Sequence, residues 1–271
     1  MTVAEGIRCE RRGLSQTGGW GFWSALLMNL WVYPGLVLLT LFFIAFFPFL
    51  FPLTKRLTRW DTGRVVRFFI WCYGRGWIAL CSPFVRFSRE GFERVTIPRP
   101  CIFVVNHLSF FDIYCMALLP MSDAVFAVRS WPFKLFWYAP FMRLAEYLDL
   151  ETIGWEGTLS AGKRILSRKS NLLFYPEGHR SRTGRLNRFH SGPFRLAVET
   201  GVPVVPLCLS GTEVLLPPGK WWMKPAAVRL AVLPPVDPRH FEGPLAHLEL
   251  KKQVKGLMAE KLTEMRGHHG R

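Results

Sequence analysis

Residues 101–112 read CIFVVNHLSFFD: an unbroken apolar run that halts at Asn106 and hands over to His107, Ser109 and Asp112. It follows Pro98 and Pro100. A short apolar run behind such breakers suits a strand covered on both faces. Similar runs recur downstream at AVFAV (124–128), NLLFY (171–175), VPVVPLCL (202–209) and AVRLAVL (227–233), with helical segments between them. Short buried strands alternating with helices predict an α/β domain. No internal repeat is evident. The composition agrees: in 271 residues, 50% hydrophobic content with 11 Trp and 23 Phe excludes a disordered or collagen-like chain.

Upstream of this domain the character changes. From Gly13 through Thr54 there is no Asp, Glu, Lys or Arg, and 26–53 is almost wholly apolar. A membrane-crossing helix needs about 20 apolar residues. The run exceeds that, and predicts either one long helix or two helices broken near Pro34. Arg8, Arg11 and Arg12 precede it as they would in a secretory signal, but the apolar stretch is too long for one and no small-x-small cleavage site follows. Lys55, Arg56, Arg59, Arg64 and Arg67 follow, opposed by Asp61, so the positive-inside bias leaves the C-terminal side cytoplasmic. The expected organisation is a membrane-anchoring segment over 1–60 and an α/β domain over 61–271. Residues 62–87 mix arginines with aromatics at helical spacing. Either a helix on the membrane surface or an amphipathic helix facing the core fits that pattern.

Thirty-five Lys and Arg against 19 Asp and Glu give a formal charge of +16, which attracts nucleic acid, anionic lipid or an acidic carrier protein alike. No nucleic-acid-binding motif accompanies the charge, so no nucleic-acid partner is expected. The six cysteines contain no C-x-x-C pair, which argues against a zinc framework or a dense disulfide scaffold.

Two constellations could carry chemistry. His107 and Asp112 are about 140° apart around a helix, so they meet only if His107 sits on a strand-to-helix loop and Asp112 in the first helical turn. There the carboxylate would fix the imidazole tautomer and leave the other nitrogen free to take a proton. Ser109-x-x-Asp112 fits a helix capping box equally well, and one aspartate could serve both. The second constellation, FYPEGHRSRTGRL (174–186), begins where another apolar run stops. It gathers Arg180, Arg182 and Arg185, with Arg188 close behind, and guanidinium forks suit phosphate oxygens. A metal site built from His107, Asp112, Glu177 and His179 lacks any H-E-x-x-H spacing. No metal or cofactor is expected.

The motif N-H-x-S-x-x-D over 106–112 followed by F-x-P-E-G-x-R-S-R-x-G over 174–184 resembles the glycerolipid acyltransferases, and among them the bacterial 1-acylglycerol-3-phosphate acyltransferases. FHSGPFRLA (189–197) and GVPVVPL (201–207) match further family segments. The resemblance implies a mixed α/β sheet flanked by helices and docked to the membrane. It implies acyl transfer from acyl-CoA or acyl-acyl-carrier protein to the free hydroxyl of 1-acylglycerol-3-phosphate, giving phosphatidic acid at the cell inner membrane. His107 would be the general base and Asp112 its partner. Ser109, Glu177, Gly178 and Arg180 would bind substrate. His179 stands where the family has Thr. An ungapped alignment puts Thr152, beside Glu151, where the family has a phosphate-holding Arg, so another lysophospholipid or a lyso-ornithine lipid is the alternative acceptor. A lipid- or carrier-binding membrane protein without turnover is the reading from outside the enzymes.

Overall fold

In the computed structural model, which describes residues 19–136 and 138–267, the run at 101–106 becomes a strand with no solvent-exposed residue. The early residues Arg8, Cys9, Arg11 and Arg12, and His268 and His269 near the end, lie outside the described residues.

The chain opens with α1, Gly19–Thr58, a single helix of 40 residues that contains Pro34, Pro48 and Pro52. Of the two possibilities left by the sequence, the unbroken helix is the one observed. Pro34 removes one amide donor, but an apolar setting offers the remaining backbone groups no partner outside the helix, which favours its continuation. At 1.5 Å per residue α1 is about 60 Å long. Residues Gly21–Thr58 form the described helix that is long and apolar enough to cross a membrane, with a mean hydropathy of 2.6 in its most apolar stretch. One stripe of α1, including Met28 and Val32, is buried, whereas Leu27, Leu30, Trp31, Leu38 and Phe49 face outward.

The buried stripe packs on α2, Thr62–Cys81, which Asp61 caps by accepting from the Arg64 amide at 2.9 Å. The helices approach closely through a reciprocal pair of contacts. A Cβ at Gly35 would lie 2.5 Å from Leu80 Cδ1, and one at Gly76 would lie 2.9 Å from Leu39 Cδ1. Val65, Val66, Phe69 and Trp77 of α2 are buried, so its apolar face turns to the core. The helical pattern expected over 62–87 is corrected at its end: the helix stops at Cys81, Pro83 follows, and Val85–Glu90 is strand β1. Ser82 keeps helical angles, and Pro83, which has no amide to donate back, ends the ladder there.

The remaining strands are β2 (Ile102–Val105), β3 (Ala124–Val128), β4 (Leu148–Asp149), β5 (Asn171–Phe174), β6 (Val204–Ser210) and β7 (Ala226–Val232). They form one mixed seven-stranded sheet in the order β1-β7-β6-β2-β5-β3-β4. β2, β3, β4, β5 and β6 run parallel, β7 is antiparallel to β6, and β1 pairs parallel with β7. The helices are α3 (Asp112–Cys115), α4 (Ala139–Leu144), α5 (Leu150–Ser167), α6 (Gly192–Thr200), α7 (Thr212–Leu215) and α8 (Ala246–Gly267). α5, α6 and α8 pack as one group and α2, α3 and α4 as another. Because β2, β5 and β3 are parallel neighbours, their carboxyl ends share one edge, where open α/β sheets place ligands. That edge carries both sequence constellations.

Candidate active site

His107 lies two residues beyond β2, on a loop that Asn106 holds to the neighbouring strand. The Asn106 side chain donates to the Leu209 carbonyl at 2.9 Å and accepts from its amide at 2.7 Å, prolonging the β2–β6 ladder past the strand end. Asp112 opens α3 and is fully buried. Its Oδ2 meets His107 Nδ1 at 2.7 Å and accepts from the amides of Leu108 (2.6 Å) and Ser109 (2.9 Å). Its Oδ1 accepts from the Thr212 hydroxyl at 2.6 Å. The aspartate thus orients the imidazole and satisfies loop amides together, the combination for which the spacing left room. The His107 side chain keeps 18% of its surface exposed, against 0% for Asp112.

His107 opens into a cleft of about 500 Å³ lined also by Phe110, Arg129, Trp131, Tyr175, Gly178, His179, Arg180 and Arg182. Of the four residues expected to bind substrate, Gly178 and Arg180 line this cleft, while Ser109 and Glu177 are buried behind it. The Ser109 hydroxyl donates to the Leu216 carbonyl at 2.6 Å. Glu177 accepts from the His107 amide at 2.9 Å through one oxygen and from the Asn187 amide at 2.8 Å through the other. Burial pushes its pKa up, and those two amide bonds pull the other way. Glu177 therefore ties the two motif loops together. Gly178 has φ +70°, and a Cβ there would lie 3.0 Å from His190 Nε2, so the turn that delivers Arg180 to the cleft needs glycine. Arg185 and Arg188 do not line the cleft.

Arg129 and Thr212 escaped the sequence pattern, and Asn106 and Tyr175 stood inside its motifs without an assigned role. Arg129, directly after β3, lines the cleft; its Nε donates to Glu151 Oε1 at 2.6 Å and its Nη1 lies 3.3 Å from His179 Nδ1. Its position one residue past an apolar strand end was the available signal. Glu151 also accepts from the Ser130 amide at 3.0 Å, and these bonds lower its pKa. Thr152 instead lies in the first turn of α5, which Asp149 caps by accepting from the Thr152 amide at 3.2 Å and from its hydroxyl at 2.7 Å. Tyr175 packs its ring 4.5 Å from the His107 ring. Asn106 and Thr212 support the site from below, and nothing local marks Thr212. A second, apolar cavity of about 460 Å³ lies between α1, α2 and the sheet; Ile113 borders both spaces. Among the described residues no group of three or more His, Cys, Asp or Glu is arranged to hold a metal ion.

Residues 86–210 match the family model described as Acyltransferase. The chain is 32% identical over 146 residues to the chloroplastic 1-acyl-sn-glycerol-3-phosphate acyltransferase BAT2 of Brassica napus, covering 51% of this chain and 41% of the relative. It is 23% identical over 198 residues to the 1-acyl-sn-glycerol-3-phosphate acyltransferase of Pseudomonas aeruginosa, covering 72% of this chain and 76% of the relative. It thus spans about two fifths of the length of the plant protein. The crystal structure of the 1-acyl-sn-glycerophosphate acyltransferase PlsC from Thermotoga maritima superposes with a TM-score of 0.72 at 25% identity, over 89% of this chain and 98% of that one.

Proposed function

We propose, from the match of residues 86–210 to the acyltransferase family model, that this chain moves a fatty acyl group from a thioester to the free hydroxyl of 1-acylglycerol-3-phosphate, yielding phosphatidic acid. The observation that carries the proposal is the 2.7 Å His107–Asp112 contact at the mouth of a cleft containing arginines. In this mechanism Asp112 holds the proton on Nδ1, so Nε2 is the base. Nε2 takes the acceptor's hydroxyl proton as the oxygen attacks the thioester carbonyl carbon. Collapse of the tetrahedral adduct breaks the carbon–sulfur bond, and the departing thiolate receives the proton from Nε2. The negatively charged Asp112 stabilises the imidazolium formed between these steps.

Arg129, Arg180 and Arg182 supply guanidinium groups for the acceptor phosphate. The apolar cavity beside Ile113 offers a space suited to an acyl chain. The donor is acyl-CoA or acyl-acyl-carrier protein, and the protein's positive charge is compatible with either. Residues 1–60 anchor the chain in the inner membrane. Residues 61–271 form the catalytic domain on the cytoplasmic side, a division supported by the break between α1 and α2 and by Lys55, Arg56 and Arg59 beside it.

Full-length protein given lysophosphatidic acid and each donor releases free thiol, and His107→Ala stops the release while leaving the circular dichroism spectrum unchanged. Turnover unaffected by that substitution excludes His107 as the base. Glu151 favours the second reading, in which the acceptor is another lysophospholipid or a lyso-ornithine lipid, because its carboxylate already occupies Arg129. An acceptor panel decides, and a clear preference for lysophosphatidic acid rejects the alternative.

A further inference from the structure

Within α1 the buried polar side chain among the described residues is Asn29. Its Nδ2 donates to the Ala25 carbonyl at 2.6 Å and the Met223 carbonyl at 2.8 Å, and its Oδ1 accepts from the Met223 amide at 3.0 Å. One turn further along, the Tyr33 hydroxyl donates to the Trp221 carbonyl. An otherwise apolar helix therefore grips the segment 216–224 much as a neighbouring strand would. The same segment forms one wall of the cleft: Pro218 and Gly219 line it, and the Leu216 carbonyl accepts from Ser109. At its tip Trp221 is 71% exposed, and Lys220 and Lys224 are exposed beside it. Across the cleft, Trp131 is likewise half exposed.

We propose that segment 216–224 is a membrane-seated lip of the cleft, held at bilayer depth by Asn29 and bound to an anionic lipid surface through Lys220, Trp221 and Lys224. It rests on the acyltransferase reading for what enters the cleft. The occupant follows from continuity and charge. Leu27, Leu30 and Trp31 expose the apolar side of α1 at the level of Asn29 and Tyr33. A neighbour that covers that side, accommodates a projecting indole and neutralises two ammonium groups has the layering of a bilayer edge. The lip would let a lysolipid pass from the leaflet to His107 without crossing water.

The test places an environment-sensitive NBD probe on Trp221→Cys in the full chain, with Cys9 and Cys72 changed to serine, in phosphatidylglycerol nanodiscs. A blue-shifted emission quenched by lipids carrying a doxyl group near the headgroup is expected, and Asn29→Leu should weaken that quenching severalfold. Water-like emission untouched by doxyl lipid overturns the lip. In parallel, Lys220→Gln and Lys224→Gln should each raise the apparent KM for a lysolipid embedded in anionic discs roughly fivefold, leaving turnover of a short-chain, water-soluble acceptor unchanged. Equal loss on both acceptors also overturns it. If the wild-type chain turns over no acceptor, the acyltransferase reading falls and the probe still decides the lip.

Discussion

Asp112 is the residue whose environment makes the sharpest demand on its chemistry. One oxygen faces three N–H groups and the other a hydroxyl that can turn to donate or accept. Asp112→Asn can keep its carbonyl toward the N–H groups and let Thr212 accept from the new amide, so the fold survives while the charge that stabilises the imidazolium is lost. The expected outcome is a fall in kcat of about 10³-fold or more, with the acceptor KM little changed, measured by steady-state thiol release. Glu177→Gln is worse placed, since its amide nitrogen would confront a backbone donor at His107 or Asn187. Leaving such a donor unsatisfied costs about 1–3 kcal/mol, so both a lower melting temperature and a lower kcat are expected in thermal denaturation and kinetic assays. Glu151→Gln weakens the hold on Arg129, and the KM for a phosphate-bearing acceptor should drop severalfold; an unchanged KM would separate Glu151 from acceptor selection. The His107–Asp112 contact was legible as one of two readings left open by the spacing beyond a strand, and the family resemblance supplied the chemistry proposed for it. Glu177 and Ser109 were legible as residues of the site but not as its supports, since burial depends on what the distant segments at 187 and 216 bring to them.

Among the elements, α1 and α2 are held by leucines set into glycine gaps. Gly76→Ile would push Leu39 out of its seat and separate the helices. Overpacking of this kind costs about 1–3 kcal/mol, and the thermal midpoint in nanodiscs should fall accordingly, whereas Gly256→Ala, at a helical position with nothing within 4 Å, should not lower it. The five runs expected as strands coincide with β2, β3, β5, β6 and β7 to within a residue or two. The apolar character of β2, β5 and β6 reflects burial on both faces, which β7 lacks at Ala227 and Arg229. β1 escaped because VRFSRE, at the sheet edge, has only two apolar residues and so no apolar run to mark it. β4 escaped because two residues carry no period.

For the whole molecule, the +16 charge and the apolar α1 make different statements about membrane attachment. Charge attraction fades as the Debye length shrinks to about 3 Å in molar salt; an embedded helix does not respond in that way. Full-length protein on anionic vesicles should therefore stay bound in molar salt and leave only with detergent, as followed by vesicle flotation. Release by salt alone would show that α1 is not embedded. The sequence showed an apolar start and a basic surface. It did not show that Asn29 reaches Met223, 194 positions away, because a single amide in a hydrophobic run has no pattern from which a partner can be read.

The sheet order also sets a timetable for synthesis. β2 lies between β5 and β6, both encoded later, and the aspartate behind the histidine is completed by Thr212, 100 positions downstream. A chain still emerging from the ribosome carries His107 early and the scaffold for it late. The apolar helix α1 is thus complete well before the site behind it is.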